Sequence, residues 1–187
     1  MKAKELLDKI QSKSSYGIKG YLEEEIVFLE NLYDIEVKGE FKEFLIGAGR
    51  TSGCQFKNLG YEYYFNLWLS KNVRSNVLGN TELKEDFTKI AFKEMKEQKQ
   101  YDLKKHRFYK YINGKPFHIS SENLTQEKFI LTTEKDLMVY QLDTNVDEIF
   151  PTNEKFIEYI DSLIDWDFSS VEDGRSWSGE YVIPKHI

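Results

Sequence analysis

Two apolar runs stand only four residues apart in this chain, and that spacing constrains its fold more than any other feature. The runs are Phe129-Ile130-Leu131-Thr132 and Leu137-Met138-Val139-Tyr140-Gln141-Leu142, joined by Thr133-Glu134-Lys135-Asp136. A linker this short leaves no room for a crossover helix, so the runs read as an antiparallel hairpin of two mostly buried strands. Whatever else the chain forms has to pack around that hairpin.

Apolar residues elsewhere recur mostly at helical spacing. Leu6, Leu7 and Ile10 predict a short N-terminal helix ending near 12–15, with Gly17 and Gly20 as punctuation. Leu22, Ile26, Leu29 and Tyr33 advance by four, three and four, an amphipathic helix whose first turn holds Glu23, Glu24 and Glu25. Carboxylates there favour the helix dipole, so the run reads as a solvated helix start. Ile35 and Val37 lead to a further helix at Phe41, Phe44 and Leu45, which Gly47 and Gly49 are expected to end through positive φ. The aromatic stretch 54–69 reads as strand, with Tyr61, Tyr63, Phe65, Leu67 and Leu69 sharing a face. Helical spacing returns over 81–99 at Phe87, Ile90, Ala91 and Met95, and Asn113-Gly114 marks a turn into a strand over 115–119. Pro151 and Thr152 are expected to open a last helix, Thr152 as its N-cap, with Phe156, Ile160, Leu163 and Ile164 on one face.

This order lacks regular strand-helix alternation. It predicts an α+β fold with a central, mostly antiparallel sheet flanked by helices, with Ile26, Leu29, Phe44, Phe156 and Ile160 buried around it. A chain of 187 residues suffices for one core without metals or disulfides, so 1–187 reads as one domain, with a helical, basic insertion around 70–118. The single cysteine, Cys54, cannot form an internal disulfide, and 1–11 is charged rather than signal-like. No run approaches the roughly 20 apolar residues of a membrane span, and the expected location is the cytoplasm.

Charge is unevenly placed. Residues 143–173 hold ten acidic side chains against Lys155 alone, while the whole chain carries −6. That stretch repels nucleic acid and attracts a basic protein. Residues 84–115 are the basic counterpart, with ten cations and five acids. Within them 104–111 interleaves cations with aromatics, a pattern able to hold single-stranded nucleic acid by charge and stacking. It reads more simply as a strand that fills a core and turns its lysines to water.

Known chemistries find little purchase. Cys54, His106, His118 and His186 lack the spacing of zinc ligands. Gly47, Gly49 and Gly53 only partly imitate a phosphate-cradling loop and follow a helix rather than a strand. Cys54 reads as a buried, inert thiol, and His106, between Lys105 and Arg107, as a surface residue. No catalytic residue, metal ligand or cofactor site is expected, and the chain reads as a binding protein rather than an enzyme.

Two blocks resemble the SUKH superfamily, which includes fungal Smi/Knr-type regulators of cell-wall synthesis and bacterial immunity proteins. Glu25-Ile26-Val27-Phe28-Leu29-Glu30 matches the family's E-I-x-x-L/F-E helix, and Phe41-Lys42-Glu43-Phe44-Leu45, before Gly47 and Gly49, its F-x-x-F-L helix. Val37-Lys38 stands where the family usually has Leu-Pro. Val139-Tyr140 and Phe156-Ile157-Glu158-Tyr159 occupy the places of its valine-tyrosine strand step and final helix, whereas 69–118 and the tail after Trp166 have no counterpart. The resemblance implies a SUKH-like fold and a non-catalytic immunity protein that binds and neutralises a toxin, often a nuclease. A scaffold or regulatory domain for an endogenous partner is the alternative it also allows, and a nucleic-acid-associated protein using 104–111 is the third.

The residues themselves nominate an interface for a basic protein partner. Asp161, Asp165, Asp167, Glu172 and Asp173 fall within thirteen positions free of Lys and Arg, with Trp166 and Phe168 among them. Aromatic anchors beside carboxylates are a common hot-spot composition. The competing arrangement tucks both aromatics onto the core while the acids face water.

Overall fold

Five strands pair in the order in which the chain makes them. The computed structural model describes residues 1–13, 17–49, 63–65, 73–122 and 125–167. Strands β1 (Tyr63–Phe65), β2 (Pro116–Glu122), β3 (Gln126–Leu131), β4 (Met138–Asp143) and β5 (Glu148–Lys155) form one antiparallel sheet in the order β1-β2-β3-β4-β5. The hairpin expected from the spacing is β3–β4, with Phe129 opposite Tyr140 and Ile130 opposite Val139.

That pairing explains why both runs are apolar throughout. Successive side chains leave a strand on opposite faces, so an uninterrupted apolar run requires cover on both sides of the sheet. Phe117, Ile119, Ile130 and Val139 belong to one core, and Phe129, Leu131, Tyr140 and Leu142 to a second. The first core is closed by helices α1 (Ala3–Lys13), α2 (Glu23–Tyr33), α3 (Gly39–Ala48) and α6 (Phe156–Asp167). The second is closed by α4 (Val73–Gln98), through Leu83, Phe87, Ile90 and Ala91, and by 103–113. That segment is a 3-10 turn, Leu103–Lys105, then the short helix α5, Tyr109–Asn113. The molecule is an α+β fold with a central antiparallel sheet flanked by helices.

Aromatic contacts knit each layer to the sheet. Phe41 lies 5.3 Å from both Phe117 and Phe156, and Phe44 meets Phe156 edge-on at 5.5 Å, so α3, β2 and α6 share one cluster. Across the sheet Phe129 stacks on Tyr140 at 5.6 Å and meets Phe87 at 4.9 Å. Ile26, Leu29, Phe44, Phe156 and Ile160 are all buried, as expected. Buried Asn80 joins the layers: its amide donates to the Tyr33 carbonyl at 3.2 Å and its oxygen accepts the His118 N–H at 3.0 Å.

Several local expectations are corrected. Residues 148–155 form an edge strand, so the last helix starts at Phe156 rather than at Pro151 and Thr152. Thr152 does not cap it; its hydroxyl donates to the Val139 carbonyl at 2.9 Å, while Glu158 accepts the Lys155 N–H at 3.0 Å. Gly47 lies inside α3, and Gly49 ends it with φ −64, in the right-handed region. Space is tightest at Gly49, where a Cβ would meet the Leu45 carbonyl oxygen at 2.5 Å, whereas one at Gly47 would meet the end of the Leu7 side chain at 2.4 Å. Segment 104–111 is not a strand. Of the strand expected over 54–69, only Tyr63–Phe65 falls among the described residues, and Cys54, Tyr61, Leu67 and Leu69 lie outside them.

Candidate protein-binding surface

Part of the acidic stretch uses its charge inside the fold. Asp147 pairs with Lys93 of α4 at 2.8 Å, and Glu148 of β5 accepts from Arg107. Asp161, on α6, holds Lys9 of α1 at 2.6 Å with both side chains about one-fifth exposed. Its carboxylate thus ties two helices together and is largely spent as an attraction for a partner. Asp165, Trp166 and Asp167 form the last turn of α6, which contains no basic residue. Phe168, Glu172 and Asp173, like His186, lie outside the described residues.

Carboxylates at a helix C-terminus face the negative end of the dipole and cost a few tenths to about 1 kcal/mol in helix stability. Asp165 and Asp167 therefore occupy a position that local helix energetics disfavours. A partner's cations would offset that cost.

The basic stretch behaves differently. Phe108 is buried in the second core, and Tyr111 packs 6.0 Å from Phe129 and 5.4 Å from Tyr140. Arg107 bridges two elements, donating through Nε to Glu94 Oε2 of α4 at 2.9 Å, through Nη2 to Glu94 Oε1, and to Glu148 Oε1 at 3.1 Å. These bonds hold the Glu94 carboxyl below the ordinary carboxylate range and raise the Arg107 guanidinium above its usual value. Lys110 donates to the Tyr140 hydroxyl at 2.7 Å and pairs with Glu134 at 2.9 Å. Burial alone would lower the Lys110 pKa, but these two bonds outweigh it and raise it. Burial likewise raises the Tyr140 phenol, which stays protonated and donates to Glu134 at 3.0 Å. With Phe108 and Tyr111 packed into the core and Arg107 and Lys110 held on carboxylates, 104–111 acts as a clamp for the second core.

His106 is buried, contrary to the surface position expected of it. Its Nδ1 accepts the Phe108 N–H at 3.2 Å, and its Nε2 lies 3.3 Å from Glu94 Oε2 without hydrogen-bond alignment. Neighbouring cations in sequence gave no hint of this, because Lys105 and Arg107 turn outward on either side. His118 is buried too, with Nε2 2.7 Å from Glu127 Oε2, and the Ser121 hydroxyl donates to Glu127 Oε1 at 2.9 Å. Here the carboxylate separates serine from imidazole, so the arrangement does not activate a nucleophile.

Among the described residues, no group of three or more His, Cys, Asp or Glu side chains is placed to hold a metal ion, and no helix is long and apolar enough to cross a membrane. No family model, curated protein or solved structure matches the chain.

Proposed function

We propose that this chain is a non-catalytic protein-binding domain that holds a basic protein, and that the partner is a toxin it neutralises as immunity proteins do. The observation that carries the proposal is the last turn of α6, where Asp165 and Asp167 stand with no basic residue against a dipole that disfavours them. Three of the preceding acids, Asp147, Glu148 and Asp161, are matched by Lys93, Arg107 and Lys9, and we place the attraction in Asp165, Asp167, Glu172 and Asp173, with Trp166 and Phe168 as anchors. The resemblance to SUKH immunity proteins supports the toxin as partner, and a nuclease, basic where it grips its substrate, suits an acidic blocker. Oriented opposite charge acts chiefly on association rate and on the choice of partner.

The test is kinetic. Once the partner has been captured on the immobilised chain and identified, Asp165→Lys combined with Asp167→Lys is expected to slow association about tenfold or more and flatten its dependence on salt. An unchanged association rate in a folded double variant would move the interface elsewhere. A partner without toxicity towards cells lacking this chain would favour a scaffold. Turnover of a nucleic acid, ester or phosphate substrate by the purified chain, abolished in a folded Cys54→Ala variant, would refute the absence of catalysis.

A further inference from the structure

Residues 17–49 contain eight carboxylates and three lysines, an acidic excess second only to that of the C-terminal region. Some of that charge serves the fold. Glu25 accepts the Leu22 N–H at 2.8 Å, Glu30 accepts the Val37 N–H at 2.7 Å, and Glu36 pairs with Lys38 at 2.8 Å. Glu24 and Glu43 make no hydrogen bond or ion pair among the described residues, and both are exposed.

These two carboxylates flank exposed apolar side chains that the helical periodicity does not account for. The buried stripe of α2 is Ile26, Leu29 and Tyr33, yet Val27 is 57% exposed, as is Leu22 at the N-cap. On α3 the buried set is Phe41, Phe44, Leu45 and Ala48, and Ile46 is 39% exposed. Scattered exposed apolar residues are ordinary on any protein. Here the geometry gathers them. Glu23 and Lys42 join α2 to α3 at 2.6 Å. Val27 follows Glu23 by one helical turn, and Ile46 follows Lys42 by one turn, so each is the neighbour of a residue in that ion pair. The backbone closes the same side: the Tyr21 N–H donates to the Leu45 carbonyl at 2.9 Å, and Gly20 lies directly against the Ile46 carbonyl. Leu22, Val27 and Ile46 thus each lie within one helical turn of a member of one short ion pair, and Glu24 and Glu43 are next in sequence to its two members.

We infer that the outer face of α2 and α3 is a docking surface for a cationic protein segment with apolar side chains set between its lysines or arginines. The inference rests on the protein-binding reading above and gives it a second contact area, distinct from the end of α6. Charge complementarity selects the occupant. Lys42 is already neutralised by Glu23, so the margin presents uncompensated negative charge and would repel an acidic partner. An uncharged apolar partner would leave Glu24 and Glu43 desolvated without a counter-ion, which is costly. A segment with cations at the margin and apolar groups at the centre satisfies both requirements.

The probe is a synthetic amphipathic peptide of lysine and leucine, titrated into the isotope-labelled full chain, with a glutamate and leucine peptide of the same pattern as the charge control. Amide shifts are expected to move at 22–31 and 42–47 with the cationic peptide and not with the acidic one. Val27→Ser with Ile46→Ser, and separately Glu24→Lys with Glu43→Lys, are each expected to weaken binding about tenfold, the second pair also reducing its salt dependence. All four positions are exposed, and an unchanged melting curve certifies the fold of each variant. Shifts confined to 158–173 would overturn this surface and leave the protein-binding reading in place. Shifts nowhere would overturn both, and equal binding of the acidic peptide would overturn the selection by charge.

Discussion

Gly20 has no left-handed backbone to excuse it, yet no other residue fits its place. A Cβ there would lie 1.5 Å from the Ile46 carbonyl oxygen and 2.0 Å from its carbon, backbone atoms that no rotamer can move aside. Gly20→Ala must therefore push the chain off α3 and is expected to cost at least about 2 kcal/mol, read by chemical denaturation. Glu94 ties a residue to pH. Arg107 lowers its folded pKa below the unfolded value, so its contribution to stability is complete above the ordinary carboxylate range and is lost as pH falls through the folded value. Glu94→Gln is expected to cost about 1–2 kcal/mol at pH 7, a modest figure because the Arg107 guanidinium is half exposed. Denaturation midpoints measured from pH 7 down to about pH 2 should converge for the two proteins as Glu94 takes up its proton. A constant gap across that range would show that the interaction is not ionic. Neither residue was legible in the sequence. Gly20 was visible only as punctuation, and Glu94 meets Arg107 by a fold in the chain that no local pattern encodes.

At the scale of elements, legibility followed how much of each element is buried. The periodicities of α2, α3 and α6 and the paired runs of β3 and β4 were readable because each commits a full face to a core. β5 was not, since all eight of its residues are exposed or half-buried and Pro151 interrupts it, as edge strands allow. Asn153 adds a left-handed φ of 66 and Met138 to Tyr140 a register shift, so the usual alternation is broken where it would have been read. The contrast is measurable with two neighbouring phenylalanines. Phe156, 1% exposed and touching Phe41 and Phe44, is expected to cost about 3–5 kcal/mol when replaced by alanine. Phe150, 47% exposed on β5, is expected to change stability by no more than about 0.5 kcal/mol. Equilibrium unfolding of both variants checks the pair, and similar losses would mean that β5 is covered in solution. In the proposed interface the sequence showed the run of acids but not that Asp161 is paired, because Lys9 reaches it from the far end of the chain.

Across the whole molecule, opposite charges were arranged where the layers meet. Lys93 with Asp147 and Arg107 with Glu94 and Glu148 fasten α4 and 103–113 to the β4–β5 end of the sheet, so the basic middle of the sequence and part of its acidic end cancel one another. The cover of the second core by α4 and 103–113 could not be foreseen from the resemblance, which has no counterpart for 69–118, although Phe87, Ile90 and Ala91 were readable as the inner face of a helix. The division of labour between the faces also sets a schedule. Helices α1, α2 and α3 cover strands that begin only at Pro116, and α6, which completes their core, comes last among the described elements. During synthesis from the N-terminus, their apolar stripes must therefore wait in water, or on a chaperone, until most of the remaining chain has emerged. A chain stopped at residue 113 should accordingly show no cooperative thermal transition and should bind a hydrophobic dye, whereas the full chain should melt cooperatively. Because β3, β4 and β5 each pair with the strand just before them, the wait ends quickly: once the meander from β2 to β5 is out, its strands find their neighbours through short connections, and the helices made first have a surface to close on.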